Sequence, residues 1–180
     1  MSFSRLFGLL LLCCLLSACG DNLIPSGEDK RPTAQPGTTG PAVGQLAPEF
    51  SVPDINGRTV TLANALADKK GIVLYFTMWC PICDSHMSHL RAAIAPNFPN
   101  VGFYAVDYVS GSVGDAAAAA SANGYAGGTL TILADVAHQL TNSYQGTMGT
   151  TIIIDSSGVV RMNEDYRDGS RLQAGLAGLP

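Results

Sequence analysis

Apolar residues in this chain fall into short runs separated by glycine, proline and polar clusters. That is the spacing of strands and short helices, not of long amphipathic rods. Ile72 to Phe76 is an unbroken β-prone run, the mark of a strand buried on both faces. It leads into Thr77-Met78-Trp79-Cys80-Pro81-Ile82-Cys83-Asp84. The stretch Asp84 to Ala95 continues as a helix until Pro96 and Pro99 force a loop. Val101 to Val109, rich in β-branched and aromatic residues, predicts a second core strand. Asp115 is the expected cap of an alanine-rich helix over 116–122 that ends at Asn123-Gly124. Thr129–Leu133 reads as a short strand, and Asp135 as the cap of a helix reaching Tyr144. Thr150–Ile154 and Gly158–Met162 pair as a hairpin through Asp155-Ser156-Ser157-Gly158, and Asp168 or Ser170 opens a last helix. Ahead of the central strand, Phe50–Val52 and Arg58–Thr61 form a small hairpin about Asn56-Gly57, followed by a short helix over Leu62–Asp68. Strand–helix–strand followed by hairpin and helix predicts an α/β fold, a mixed sheet with helices on both faces.

The N-terminal pattern is different. Met1 to Ala18 carries Arg5 and then the apolar run Leu6 to Leu16, shorter than the ~20 residues of a comfortable membrane span. Leu16-Ser17-Ala18-Cys19 resembles a bacterial lipobox, in which the cysteine becomes a lipid-bearing N-terminus; an ordinary secretory signal is the alternative. Residues 1–18 are therefore expected to be a lipoprotein signal peptide with lipidation at Cys19. Residues 19–43, rich in Pro, Gly, Ser, Thr and charge, are expected to be a disordered tether, and 44–180 the domain. This places the domain outside the cytoplasm, in the periplasm or an equivalent space, on a lipid anchor. A charged fraction of 13% and a net charge of −4 recommend no nucleic-acid partner.

Five cysteines then reduce to two. Cys13 and Cys14 leave with the signal, Cys19 is consumed by lipid, and Cys80 and Cys83 remain. A Cys-x-x-Cys between a buried strand and a helix reads as a redox dithiol; half of a zinc site or a structural bridge is the competing reading. Pro81 suits the first helical turn, where its missing N–H costs nothing. Cys80 then sits at the helix N-terminus, where unpaired amides and the helix dipole favour a thiolate. Cys83, one turn on, lies on the same face and is able to close a Cys80–Cys83 disulfide.

Trp79-Cys80-x-x-Cys83 after a buried strand resembles the thioredoxin active site. Val43-Gly44, Ala47-Pro48, Phe50, Asp54, Gly57 and Leu62 upstream, and Thr150-Thr151-Ile152-Ile153-Ile154-Asp155 with Gly158 downstream, resemble the redoxin (AhpC/TSA) superfamily. Within it the chain looks most like the membrane-tethered TlpA/ResA-like thiol-disulfide oxidoreductases. The resemblance implies a thioredoxin-like three-layer α/β/α sandwich with a central mixed β-sheet. It implies Cys80 as attacking thiolate and Cys83 as resolving thiol, with no cofactor, a protein or small-thiol disulfide as substrate and a membrane thiol as reductant. Trp79 and Pro81 beside the dithiol, with Met148 and Gly149 across from it, make the substrate-binding set.

Two departures stand out. The buried acid that assists the second cysteine in thioredoxins is replaced by Leu74, leaving Asp84 or His86 as substitutes; the family's cis-proline is replaced by Gly149, so a trans peptide is expected there. Thr77, three before Cys80, also fits the peroxiredoxin Thr-x-x-Cys pattern and makes a peroxidase acting through Cys80 the first alternative, although Val73 stands where that pattern has proline. A soft-metal carrier using Cys80, Cys83 and His86 is the second, with His89 and His138 tied in by no spacing.

Overall fold

The computed structural model describes residues 34–180, and the expected signal peptide, Cys19 and most of the expected tether lie outside the described residues. Twelve named elements follow in chain order. The small hairpin is β1 (Ser51–Pro53) and β2 (Thr59–Thr61), paired antiparallel, and α1 (Leu62–Leu66) follows directly. The active-site unit is β3 (Gly71–Thr77) and α2 (Pro81–His89), whose chain runs on through a wider π turn, Leu90–Ile94, before Pro96 ends it. Then come β4 (Val101–Asp107), α3 (Val113–Ala122), β5 (Thr131–Ala134) and α4 (Gln139–Tyr144). The hairpin β6 (Thr150–Asp155) and β7 (Val160–Asp165) leads to α5 (Ser170–Ala177). Five strands form one mixed sheet in the order β5-β4-β3-β6-β7, parallel from β3 to β5 and antiparallel through β6 and β7. This is the thioredoxin-like sandwich.

All seven residues of β3 are buried, because this strand is central and covered on both faces. Its pleat divides the core. Val73 and Tyr75 join Met87, Leu90, Leu172 and Leu176 on the side of α2 and α5. Ile72, Leu74 and Phe76 join Leu62, Leu140, Tyr144 and Ile154 on the side of α1 and α4. Residues 34–43, expected as tether, belong with the compact unit Ala34–Pro180. The Gly44 amide donates to the Val160 carbonyl at 2.9 Å, and Asn163 Nδ2 donates to the Pro41 carbonyl at 2.9 Å. Those partners lie more than a hundred residues away in sequence, so composition gave no sign of them.

Two helix starts differ in detail. Ser112, not Asp115, caps α3: the Asp115 amide donates to Ser112 Oγ (3.1 Å), and that hydroxyl donates back to the Asp115 carboxylate (2.7 Å). Asp135 does satisfy α4, accepting from the Leu140 and Thr141 amides at 3.0 and 2.8 Å, although the helix itself starts at Gln139.

Candidate active site

The dithiol sits where β3 ends. Cys80 is the N-cap of α2 and Pro81 its first residue, and the Cys83 amide donates to Cys80 Sγ at 3.1 Å. The two thiols are free and their sulfurs lie 2.6 Å apart, within a mutual hydrogen bond. Their environments are unequal. Cys80 is half-exposed, whereas Cys83 is completely buried. Burial pushes the Cys83 thiol up, but hydrogen bonds from Cys80 Sγ, the Met78 and Cys80 backbone and the Thr77 hydroxyl outweigh it and bring it below its usual value. Access decides which of the two sulfurs meets a substrate. Only Cys80 has it.

Trp79 holds the turn in place. Its φ is +59°, a left-handed conformation that a bulky residue adopts only when its surroundings fix it. Two bonds do so: its amide donates to Thr77 Oγ1 at 3.2 Å, and its indole N–H donates to Asp107 Oδ2 at 2.8 Å. Asp107 is fully buried at the end of β4, opposite Thr77 in register. It also accepts from the Val109 and Ser110 amides, at 3.1 and 3.0 Å, and from the Ser110 hydroxyl at 2.6 Å. Trp79 half-buries its ring against the core, so it is both a packed aromatic and the flank of the dithiol. Asp107 was not anticipated; the one signal for it was a carboxylate inside the apolar run Val101–Val109.

The loop before β6 faces the dithiol. Met148 is exposed, and its sulfur lies 3.4 Å from Cys80 Sγ. Gly149 is buried, with φ +86° and its amide on the Phe76 carbonyl at 3.0 Å; no cis peptide bond occurs among the described residues. Gly146 packs flat on Phe76, where any Cβ would strike the ring. Pro81 is exposed beside Ile82.

The two substitutes named for the missing acid have different fates. Asp84 accepts from the Tyr125 hydroxyl at 2.6 Å, and Arg91 lies over that tyrosine ring at 4.7 Å. His86 turns inward: its Nδ1 lies 3.0 Å from the Tyr75 hydroxyl, and its ring stacks on Tyr166 with centroids 4.6 Å apart. Burial, with His89 nearby, holds His86 below its usual value. Tyr75 shares a core face with α2 and interacts with both sulfurs; burial first, then the sulfurs, push its hydroxyl far above the usual tyrosine range. Leu74, the position matched to the missing acid, points to the opposite face. Sequence reasoning missed Tyr75 because an aromatic inside an apolar run reads as core. His89 Nδ1 pairs with the Tyr166 hydroxyl at 2.6 Å, and His138 is exposed before α4. Among the described residues, no three His, Cys, Asp or Glu side chains converge as metal ligands.

The matched part of the methylamine utilization protein MauD of Paracoccus denitrificans is 46% identical over 46 residues, covering 25% of this chain and 23% of that protein. This chain therefore spans less than a quarter of the curated relative it matches. The peroxidoxin BcpB of Mycobacterium tuberculosis superposes with a TM-score of 0.61 at 21% identity, over 76% of this chain and 95% of that one. A secreted M. tuberculosis disulfide oxidoreductase homologous to E. coli DsbE superposes with a TM-score of 0.57 at 20% identity, over 72% and 96%. Both establish the fold. The AhpC/TSA family model matches residues 43–163, from the ordered N-terminal segment to β7, and with the dithiol at the end of its central strand this chain belongs to the AhpC/TSA family.

Proposed function

We propose that this protein is a thiol-disulfide oxidoreductase working through Cys80 and Cys83. The observation that carries the reading is the unequal pair, an accessible sulfur at a helix N-terminus and a buried one 2.6 Å behind it. The Cys80 thiolate attacks a substrate disulfide; a mixed disulfide forms and the first substrate thiolate leaves. Cys83 then attacks Cys80 Sγ, the second substrate thiolate leaves, and the protein carries the disulfide while the substrate has gained two electrons. A membrane thiol would return the pair to its reduced form.

The substrate surface is apolar. Met78, Ile82, Val109 and Met148, large hydrophobic residues that are 44%, 56%, 49% and 37% exposed, lie on the loops and helix end that carry the dithiol and its supports. Trp79 and Pro81 complete that surface, and the Tyr108 hydroxyl lies against the Met148 backbone. An apolar rim suits a protein disulfide better than a small polar one. The peroxidase alternative is disfavoured by Thr77, whose hydroxyl serves Trp79 and Cys83. The carrier alternative finds no third His, Cys, Asp or Glu side chain converging on the two sulfurs among the described residues.

Cys83→Ser should accumulate a mixed disulfide between Cys80 and substrate, seen as a mass increase that reductant removes. Rapid sulfenic acid formation at Cys80 with peroxide, and no trapped thiol adduct, would sink the reading. Attachment belongs to the same proposal. Cys19 carries lipid after loss of residues 1–18 and tethers the domain to a membrane facing the extracytoplasmic space. Cys19→Ala should move the protein to the soluble fraction with its dithiol chemistry intact, and retention in the membrane would refute the anchor.

A further inference from the structure

We propose that the reduced dithiol and Met148 form a binding site for a soft monovalent cation, copper(I), with Cys80 Sγ, Cys83 Sγ and Met148 Sδ as its ligands. The inference goes beyond the disulfide-exchange reading and does not rest on it, since it needs only the three sulfurs where the fold puts them. Those sulfurs touch in series: Cys83 Sγ lies 2.6 Å from Cys80 Sγ, and Cys80 Sγ lies 3.4 Å from Met148 Sδ. Two come from the start of α2 and the third from the loop before β6, 68 positions after Cys80.

The loop that carries Met148 is braced. The Thr150 amide donates to the Thr147 carbonyl at 3.0 Å, the Thr147 amide donates to Thr150 Oγ1 at 3.0 Å, and the Gly149 amide donates to the Phe76 carbonyl at 3.0 Å. Met148 nevertheless stays exposed and Cys80 half-exposed, so an incoming cation meets a thiol and a thioether before it reaches buried Cys83. Leucine or isoleucine would supply the same apolar bulk at position 148. A thioether adds a donor atom, and it stands against the accessible sulfur of the pair.

The donor set selects the ion. Thiolate and thioether are soft ligands that suit copper(I), whereas zinc takes about four ligands drawn from Cys, His, Asp and Glu. Among the described residues no three side chains of those four types converge, so zinc lacks its set and methionine sulfur completes the one for copper. On binding, both thiols release their protons, two thiolates and one neutral thioether bond to the cation, and no electron is transferred. The product carries one negative charge at the N-terminus of α2, where the Cys83 amide already donates to Cys80 Sγ at 3.1 Å. A metal–sulfur bond is itself about 2.3 Å, so the two thiol sulfurs must part to flank one ion. Half-exposed Cys80 supplies that movement by changing rotamer. The bound ion then takes both thiolates out of disulfide exchange.

The experiment titrates the reduced full chain, without oxygen, with copper(I) held by the coloured chelator bicinchoninate. The wild type should withdraw one equivalent, retain it against excess zinc, and show three sulfur neighbours by X-ray absorption at the copper edge. Iodoacetamide labelling of Cys80 should stop once that equivalent is bound. Met148→Leu keeps the bulk of an exposed side chain, so the fold is retained. It should weaken binding at least about 10–100-fold, the loss already seen when groups behind a metal ligand are removed, and leave two sulfur neighbours. Cys83→Ser should weaken binding further. Failure to withdraw copper from the chelator overturns the site, as does its displacement by zinc. Two sulfur neighbours in the wild type, or unchanged affinity in Met148→Leu, overturns it equally, because the third ligand is then not methionine.

Discussion

The two faces of β3 are built from one strand but obey different rules. Toward α1 and α4, Ile72, Leu74 and Phe76 meet Leu133, Leu140, Ile152, Ile154 and Val160, a buried cluster in which Tyr144 donates to the Pro48 carbonyl at 2.6 Å while Tyr104 and Tyr108 pack at the edge. Toward α2 and α5, the same strand presents Tyr75 to a set of polar rings, His86, His89 and Tyr166, beneath the dithiol. The apolar face is the more completely buried, since His86 and His89 on the other are half-buried, and no buried side-chain nitrogen or oxygen among the described residues lacks a partner. The lesson is that the apolar face supplies stability mainly through packing, which leaves the other face free to carry hydrogen-bonded rings beneath the dithiol.

The comparison is broken most severely on the apolar face. Leu74→Ala removes a fully buried side chain from a central strand and should cost about 2–5 kcal/mol in denaturant unfolding. Exchange by the molecules that remain folded should be unchanged, and a loss of exchange larger than the loss of folded protein would show that the faces are not separable. Gly149→Pro comes next. It restores the family's residue but forces φ from +86° to the proline range and deletes the amide bond to the Phe76 carbonyl, so it should destabilise by about 3 kcal/mol. A neutral or stabilising result would mean that this loop reorganises freely.

Asp107→Asn tests the support of the dithiol. It keeps the shape but weakens charge-assisted bonds to Trp79, Val109 and Ser110, and should cost about 1–3 kcal/mol. Disulfide exchange should slow and indole fluorescence shift as Trp79 loosens. The smallest effect is on pH dependence. The folded His86 resists protonation, so as pH falls below its unfolded value of about 6.5 the unfolded chain binds the proton first and stability declines. Above that value the contribution is fully present. The thermal midpoint of the wild type should therefore drop more between neutral pH and mild acid than that of His86→Gln, and parallel curves would count against an imidazole held below its usual value.

What the sequence by itself determined is local. The apolar run, Pro81 after Cys80 and the Cys-x-x-Cys spacing specify a buried strand, a helix start and a dithiol across it, because each signal acts within one or two turns of chain. Asp135 and the β6–β7 turn were legible for the same reason. Strand alternation also meant that Leu74 and Tyr75 face opposite ways, but not which of them faces α2. Tertiary structure decided that, together with the pairing of Trp79 with Asp107 and of His89 with Tyr166, partners 28 and 77 positions apart. It also set the Gly44 amide against Val160 and gave residues 34–43 a place in the fold. Such contacts depend on which strands become neighbours and in what register, and register is fixed only when whole faces are buried together.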